Sequence, residues 1–157
     1  MSIQFIEGET KVPGAKVGII VARWNSMITE KLLDGAIAAL KGNGVNEDDI
    51  TVVRCPGAFE LPLTGKLLME QKELDGVIAI GVVIRGGTPH FEYVCDAVTN
   101  GVLALNMDFG IPVAFGVLTT DDVKQALERS GDDGNKGAEA ALALLEMMSV
   151  SKNLEHN

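Results

Sequence analysis

The 157-residue chain has only two cysteines, one tryptophan and one tyrosine, and fewer basic than acidic side chains. Cys55 and Cys95 stand far apart and without metal-ligand spacing, so a reducing compartment is the simplest reading. The net charge of −9 leaves no broad basic surface and argues against nucleic-acid or anionic-membrane partners. One small anion site built from a few local cations remains open. The opening "MSIQFIEGETKVPG" has neither a basic n-region nor an apolar h-region, and no apolar run reaches membrane-spanning length. A cytoplasmic protein is expected. What is present suits a folded core: 46% of residues are apolar and 22% charged, the mix of one globular domain spanning residues 1–157.

Five apolar stretches read as strands: "IQFIE" (3–7), "KVGIIVA" (16–22), "ITVVR" (50–54), "GVIAIGVVI" (76–84) and "IPVAFGVL" (111–118). The second, fourth and fifth are almost unbroken in aliphatic residues, as in strands buried on both faces of a parallel sheet. Amphipathic patterns fall between them. "ITEKLLDGAIAALKGNG" puts Leu33, Ile37 and Leu40 on one stripe and stops at its glycines. "LPLTGKLLMEQK", "PHFEYVCDAVTNGVLALNMDFG", "DDVKQALERSG" and "NKGAEAALALLEMMSV" follow, the last with Ala138, Ala141, Leu142, Leu145 and Met148 at core spacing. This alternation predicts an α/β layered fold with a central, mainly parallel four-stranded sheet flanked by helices. The short "IQFIE" predicts an N-terminal edge strand within an arm of residues 1–12, placed in this sheet or in that of a neighbouring subunit. The polar tail 151–157 is expected to fray.

Ligands of open parallel sheets bind beyond the carboxyl ends of the strands. There this chain carries Trp24 and Asn25 after the second stretch, Ala58, Phe59 and Glu60 after the third, and "RGGTPHFEYV" after the fourth; Phe115 is expected near the end of the fifth. In the decapeptide Thr88 suits a helix cap, Pro89 the first helical position, and His90 the first turn. Bare backbone at Gly86 and Gly87, the Thr88 hydroxyl and helix amides together can cradle an anion. A plain strand-to-helix turn has the same composition. His90 can exchange protons near neutrality, which beside an anion-binding turn outweighs a merely structural imidazole. Arg129 and Lys136 flank "SGDDGN"; each alone reads as a surface charge, and as a pair they can supply positive charge to a phosphate.

Several chemistries lack their residues. There is no G-x-x-x-x-G-K-[ST] loop and no G-x-G-x-x-G after a strand. "HFE" has no P-C-x-x-C partner for a zinc deaminase, and His156 lies in the tail, away from any ligand set. No lysine is embedded in a strand, which disfavours a Schiff-base lysine. Metal ligands at useful spacing are missing.

Taken together, "VARWN", "CPGAFELP", "AIGVVIRGGTPHFEYV", "PVAFGVLTT" and "GNKGAEAAL", in this order, resemble the 6,7-dimethyl-8-ribityllumazine synthases over nearly the whole chain. The resemblance implies a three-layer flavodoxin-like sandwich. It also implies condensation of 5-amino-6-(D-ribitylamino)uracil with 3,4-dihydroxy-2-butanone 4-phosphate at sites between subunits of a homopentamer, with pentamer-based icosahedral shells in some members. On that resemblance Trp24 stacks on the pyrimidine with Asn25 beside it, and Ala58, Phe59 and Glu60 hold the ribityl chain. Val82, Val83 and Ile84 line the ring, Gly87 and Thr88 face the phosphate, and His90 moves protons. Phe115 and Arg129 come from the neighbouring subunit, with Arg129 on phosphate and Lys136 and Glu139 in support. Riboflavin synthase is the protein partner it allows. Three departures stand out: Trp24 where Phe is commoner, Cys55 where Val is usual, and a loop "SGDDGNKG" that is one residue short, with Asp132-Asp133 in place of a basic residue. A non-catalytic flavin- or pteridine-binding protein, or a shell protein on the same scaffold, is the competing reading; a binder of a neutral ring needs neither His90 nor Arg129.

Overall fold

The computed structural model describes residues 2–156. The aliphatic runs form four strands, β1 (Val17–Ala22), β2 (Ile50–Cys55), β3 (Gly76–Ile84) and β4 (Val113–Thr120). They make one sheet in the order β2-β1-β3-β4, every pair parallel, with Val17 opposite both Ile50 and Gly76, and Val77 opposite Val113. Five helices alternate with them: α1 (Ser26–Gly42), α2 (Leu61–Gln71), α3 (His90–Phe109), α4 (Val123–Glu128) and α5 (Lys136–Glu155). Single 3-10 turns cover Glu47–Asp49 and Ala58–Glu60.

The period of two along β3 makes the three layers. Ile78, Ile80 and Val82 face α1 and α5, while Val77, Ala79 and Val83 face α2 and α3. Both faces are covered, so the strand carries no polar residue. Ile19, Ile78, Ile80, Leu144 and Leu145 are essentially inaccessible, each such side chain stabilising the fold by roughly 1.5–3 kcal/mol. On α1 the stripe includes Leu32 and Ala36 beside Leu33 and Leu40, with Ile37 only partly buried.

Four expectations are corrected. Residues 3–7 form no strand. The arm runs along α5, where the Glu9 amide donates to Ser149 Oγ at 3.0 Å and Asn153 Nδ2 donates to the Glu7 carbonyl at 2.7 Å. Ile3 and Phe5 are left 79% exposed, because this chain has nothing to cover them. The tail is helical rather than irregular: α5 continues to Glu155, bonded to the arm and carrying Lys152 at its negative end. Asn157 lies outside the described residues, as does Met1 at the start of the arm. Leu142 faces outward, and Ala140 and Leu144 take its place in the core, since α5 rotates its stripe toward β3 and α1. Finally β4 starts at Val113, not at residue 111. Asn106 Oδ1 accepts the Val113 amide at 2.6 Å and its Nδ2 donates back to the Val113 carbonyl at 3.1 Å, which delays entry into the sheet. Because β4 runs on to Thr120, Phe115 is its third residue, paired with Ala79 and well short of the carboxyl edge.

Candidate active site

The chain order reverses between β1 and β3, so the crevice beyond their carboxyl ends is the place where such sheets bind ligands. Three loops line it. After β1 the ladder continues for two residues, with the Arg23 amide on the Cys55 carbonyl at 2.7 Å and the Trp24 amide on that of Pro56 at 2.9 Å. Trp24 is 60% exposed and lays its indole on Gly57, where a Cβ would come within 2.2 Å of the ring. Asn25 then turns the chain in the left-handed region, φ 64°, and its carbonyl accepts from Ile28 and Thr29 to start α1.

After β2, Ala58, Phe59 and Glu60 form the 3-10 turn that leads into α2. Glu60 Oε1 accepts the Gly57 amide at 3.0 Å, and the Glu60 amide donates to the Gly57 carbonyl at 3.1 Å. Ala58 is buried and Phe59 stands 60% exposed. After β3, with Val82 and Val83 buried and Ile84 half-buried, residues 85–90 are open to solvent. An added Cβ at Gly86 or Gly87 would meet no atom of this chain within 4 Å. Helix α3 begins one residue later than expected: Pro89 occupies the cap position, and the exposed Thr88 does not cap the helix. His90 is the first helical residue and is exposed, and its ring has no hydrogen-bond partner among the described residues.

A clamp holds this turn. Arg85 Nε donates to Asp121 at 2.9 Å, its Nη1 pairs with Glu92, and its guanidinium lies 4.4 Å over the Phe91 ring. The Arg85 amide also donates to the Thr120 carbonyl at 2.8 Å. The ends of β3 and β4 and the first turn of α3 are thereby tied together. Hydrogen bonding by Asp121, then Glu92, pushes the guanidinium pKa up, and that by Arg85 holds the Glu92 carboxyl below the usual carboxylate range. Sequence reasoning missed this clamp, whose members follow β3 and β4 or lie in the first turn of α3.

Phe115, Arg129 and Lys136 do not join these loops. They line a cleft of about 480 Å³ beside the free edge of β4, together with Thr119, Glu139 and Ala140, and neither Trp24, Phe59, Thr88 nor His90 is among its walls. Arg129 follows α4 and Lys136 opens α5. Lys136 Nζ meets Glu139 at 3.2 Å, and Arg129 Nη1 donates to the Gln125 carbonyl at 3.0 Å. A hollow of similar size at the amino ends of the strands, walled by Lys16, Lys72 and Asp75, offers neither an imidazole nor a bare turn. The thiols are poor nucleophiles: burial pushes both up, and Asp96 and Glu92 push Cys95 further. No cluster of His, Cys, Asp and Glu suited to a metal ion occurs among the described residues, and none of their helices is long and apolar enough to cross a membrane.

The sequence profile described as 6,7-dimethyl-8-ribityllumazine synthase matches residues 14–152, nearly the whole chain. The chain belongs to that family. It is a transferase whose family condenses the ribitylaminopyrimidine with the butanone phosphate to form the lumazine. The match begins after the arm and ends within the last turn of α5, so it covers the whole sheet and all five helices except the end of α5.

Proposed function

We propose that each active site of this transferase is built by two copies of the chain, the β1–β3 crevice of one facing the β4–α5 cleft of its neighbour. The observation that carries this reading is the separation of the two half-sites in a single chain, each with its aromatics uncovered: Trp24 and Phe59 are 60% exposed and Phe115 44%. Trp24 stacks on the pyrimidine with Asn25 beside it. Ala58, Phe59 and Glu60 hold the ribityl chain, and Val82, Val83 and Ile84 line the ring. Gly87 and Thr88 meet the phosphate through backbone and hydroxyl; the bare glycines, which no local atom requires, support that role. Phe115 closes the ring site from the neighbour, Arg129 binds phosphate, and Lys136 and Glu139 set the charge around it.

The 5-amino group attacks the ketone carbon, and loss of water leaves an imine. His90 removes the proton next to the imine carbon, the electron pair expels phosphate, and the resulting enol tautomerises to a carbonyl. The ribitylamino nitrogen attacks that carbonyl, and a second water leaves as the ring closes. His90 shuttles protons between these steps, while alignment of the two reactants supplies much of the acceleration. No metal or organic cofactor enters the scheme. A homopentamer, or a shell of pentamers, juxtaposes the half-sites; exposed Leu63, Leu67, Leu103 and Met107 on α2 and α3 support association, and the uncovered arm supports strand exchange with a neighbour. The lumazine is then passed to riboflavin synthase.

The test is direct. Purified protein with both substrates should yield lumazine fluorescence and free phosphate, and sedimentation should give a pentamer or a multiple of it. His90→Ala should slow turnover about 10²-fold without abolishing it. A wild-type rate in that variant would remove His90 from the scheme, and complete loss would contradict the weight placed on alignment.

A further inference from the structure

The two cations of the β4–α5 cleft are joined through backbone: the Lys136 amide donates to the Arg129 carbonyl at 2.8 Å, closing the loop between them. One side chain ties that loop to the rest of the protein. Asn135 Oδ1 accepts the Ala138 amide at 3.0 Å and caps α5, while its Nδ2 donates to the Lys31 carbonyl on α1 at 3.0 Å and to the Ser130 carbonyl at 3.1 Å. Both amide hydrogens are used, together with the oxygen, so no other residue type reproduces the set. Two glycines make the slot. A Cβ at Gly35 would lie 2.3 Å from Asn135 Oδ1, and one at Gly137 would lie 2.0 Å from the Leu32 carbonyl oxygen.

We propose that Asn135 is a positioning residue for the phosphate-bearing substrate: it sets where Arg129 and Lys136 stand relative to Phe115 and Glu139. The inference rests on the reading of Arg129 as the phosphate ligand. Both cationic residues are solvent-exposed, so their placement depends largely on the backbone that carries them. The Arg129 side chain folds back on Gln125 of α4, and Lys136 leans on Glu139 of α5. The end of α4 is pinned by buried Ser130, whose hydroxyl donates to the Ala126 carbonyl at 3.0 Å. The start of α5 is pinned by Asn135, and Asp132 to Gly134 between them are exposed. Without the donation to Lys31 the loop loses its hydrogen bond to α1, and without that to Ser130 its internal tie, so the cations shift against the strand.

Asn135→Asp keeps the capping oxygen, removes both donors and turns a carboxylate oxygen toward two carbonyls. It should raise KM for the butanone phosphate about tenfold, weaken competitive inhibition by inorganic phosphate equally, and leave KM for the pyrimidine within about twofold. Gly35→Ala, which crowds the same side chain from α1, should give the same split and carries the test should Asn135→Asp fail to fold. Leu40→Val, in the core at the far end of α1, should lower stability with neither KM moved. Both KM values rising together in Asn135→Asp and Gly35→Ala, or neither rising, would overturn the proposal. Arg129→Ala separates the two levels. If it leaves the phosphate KM unchanged, the underlying reading fails and the positioning role with it. If it raises that KM while Asn135→Asp and Gly35→Ala do not, Asn135 is a helix cap only.

Discussion

Asn25 is the one residue other than glycine with positive φ among the described residues, and it stands between the stacking indole and the first turn of α1. Most side chains pay about 1–2 kcal/mol in that region, and Asn tolerates it best. Asn25→Ala should therefore lower stability in urea by about 1 kcal/mol, while Asn25→Gly stays near wild type. A second residue-scale prediction concerns acid. The Glu92 carboxyl is depressed by its hydrogen bond to Arg85, so the clamp is fully formed above the ordinary carboxylate value and is lost as pH falls through the lowered one. The Arg85 Nη1 resonance, which faces Glu92, should shift across that acid window in the wild type and lose that transition in Glu92→Gln. Trp24, Phe59 and His90 stood out as candidate residues in the sequence because each lies in the loop or first turn that follows an aliphatic run. Arg85 did not, because its partner Asp121 lies 36 positions away and meets it only when β3 and β4 pair.

At the scale of elements, the strands that are buried on both faces are the ones that could be read by eye. The nine residues of β3 coincide with the aliphatic run "GVIAIGVVI", since no polar residue is tolerated between two helical layers. Phe115 was misplaced because β4 runs on to Thr120, beyond the aliphatic run. The Asn106 side chain binds both backbone groups of Val113, where the strand begins. The meeting of β1 with the 3-10 turn depends on Gly57, whose backbone is extended and would accept any residue, while its Cβ position is occupied by Trp24. Gly57→Ala should displace the indole with little loss of fold. It should raise KM for the pyrimidine about tenfold and leave that for the phosphate substrate unchanged, as steady-state kinetics can establish.

For the whole molecule, the proposed sharing of each site by two chains predicts complementation. His90→Ala and Arg129→Ala chains, dissociated, mixed and reassembled, should together exceed the activity of either parent, because about a quarter of the sites in a random mixture pair an intact crevice with an intact cleft. A site contained within one chain would show no gain on mixing. Order along the sequence determined which residues follow which strand, and hence the sheet, its layers and the chemistry at its carboxyl edge; periodicity and strand-end position are local properties that survive in one dimension. What holds Arg85 and how Asn135 ties the loop of two cations to α1 were decided by tertiary structure alone. Each depends on groups far apart in the chain that come within hydrogen-bonding or van der Waals reach only after the layers pack.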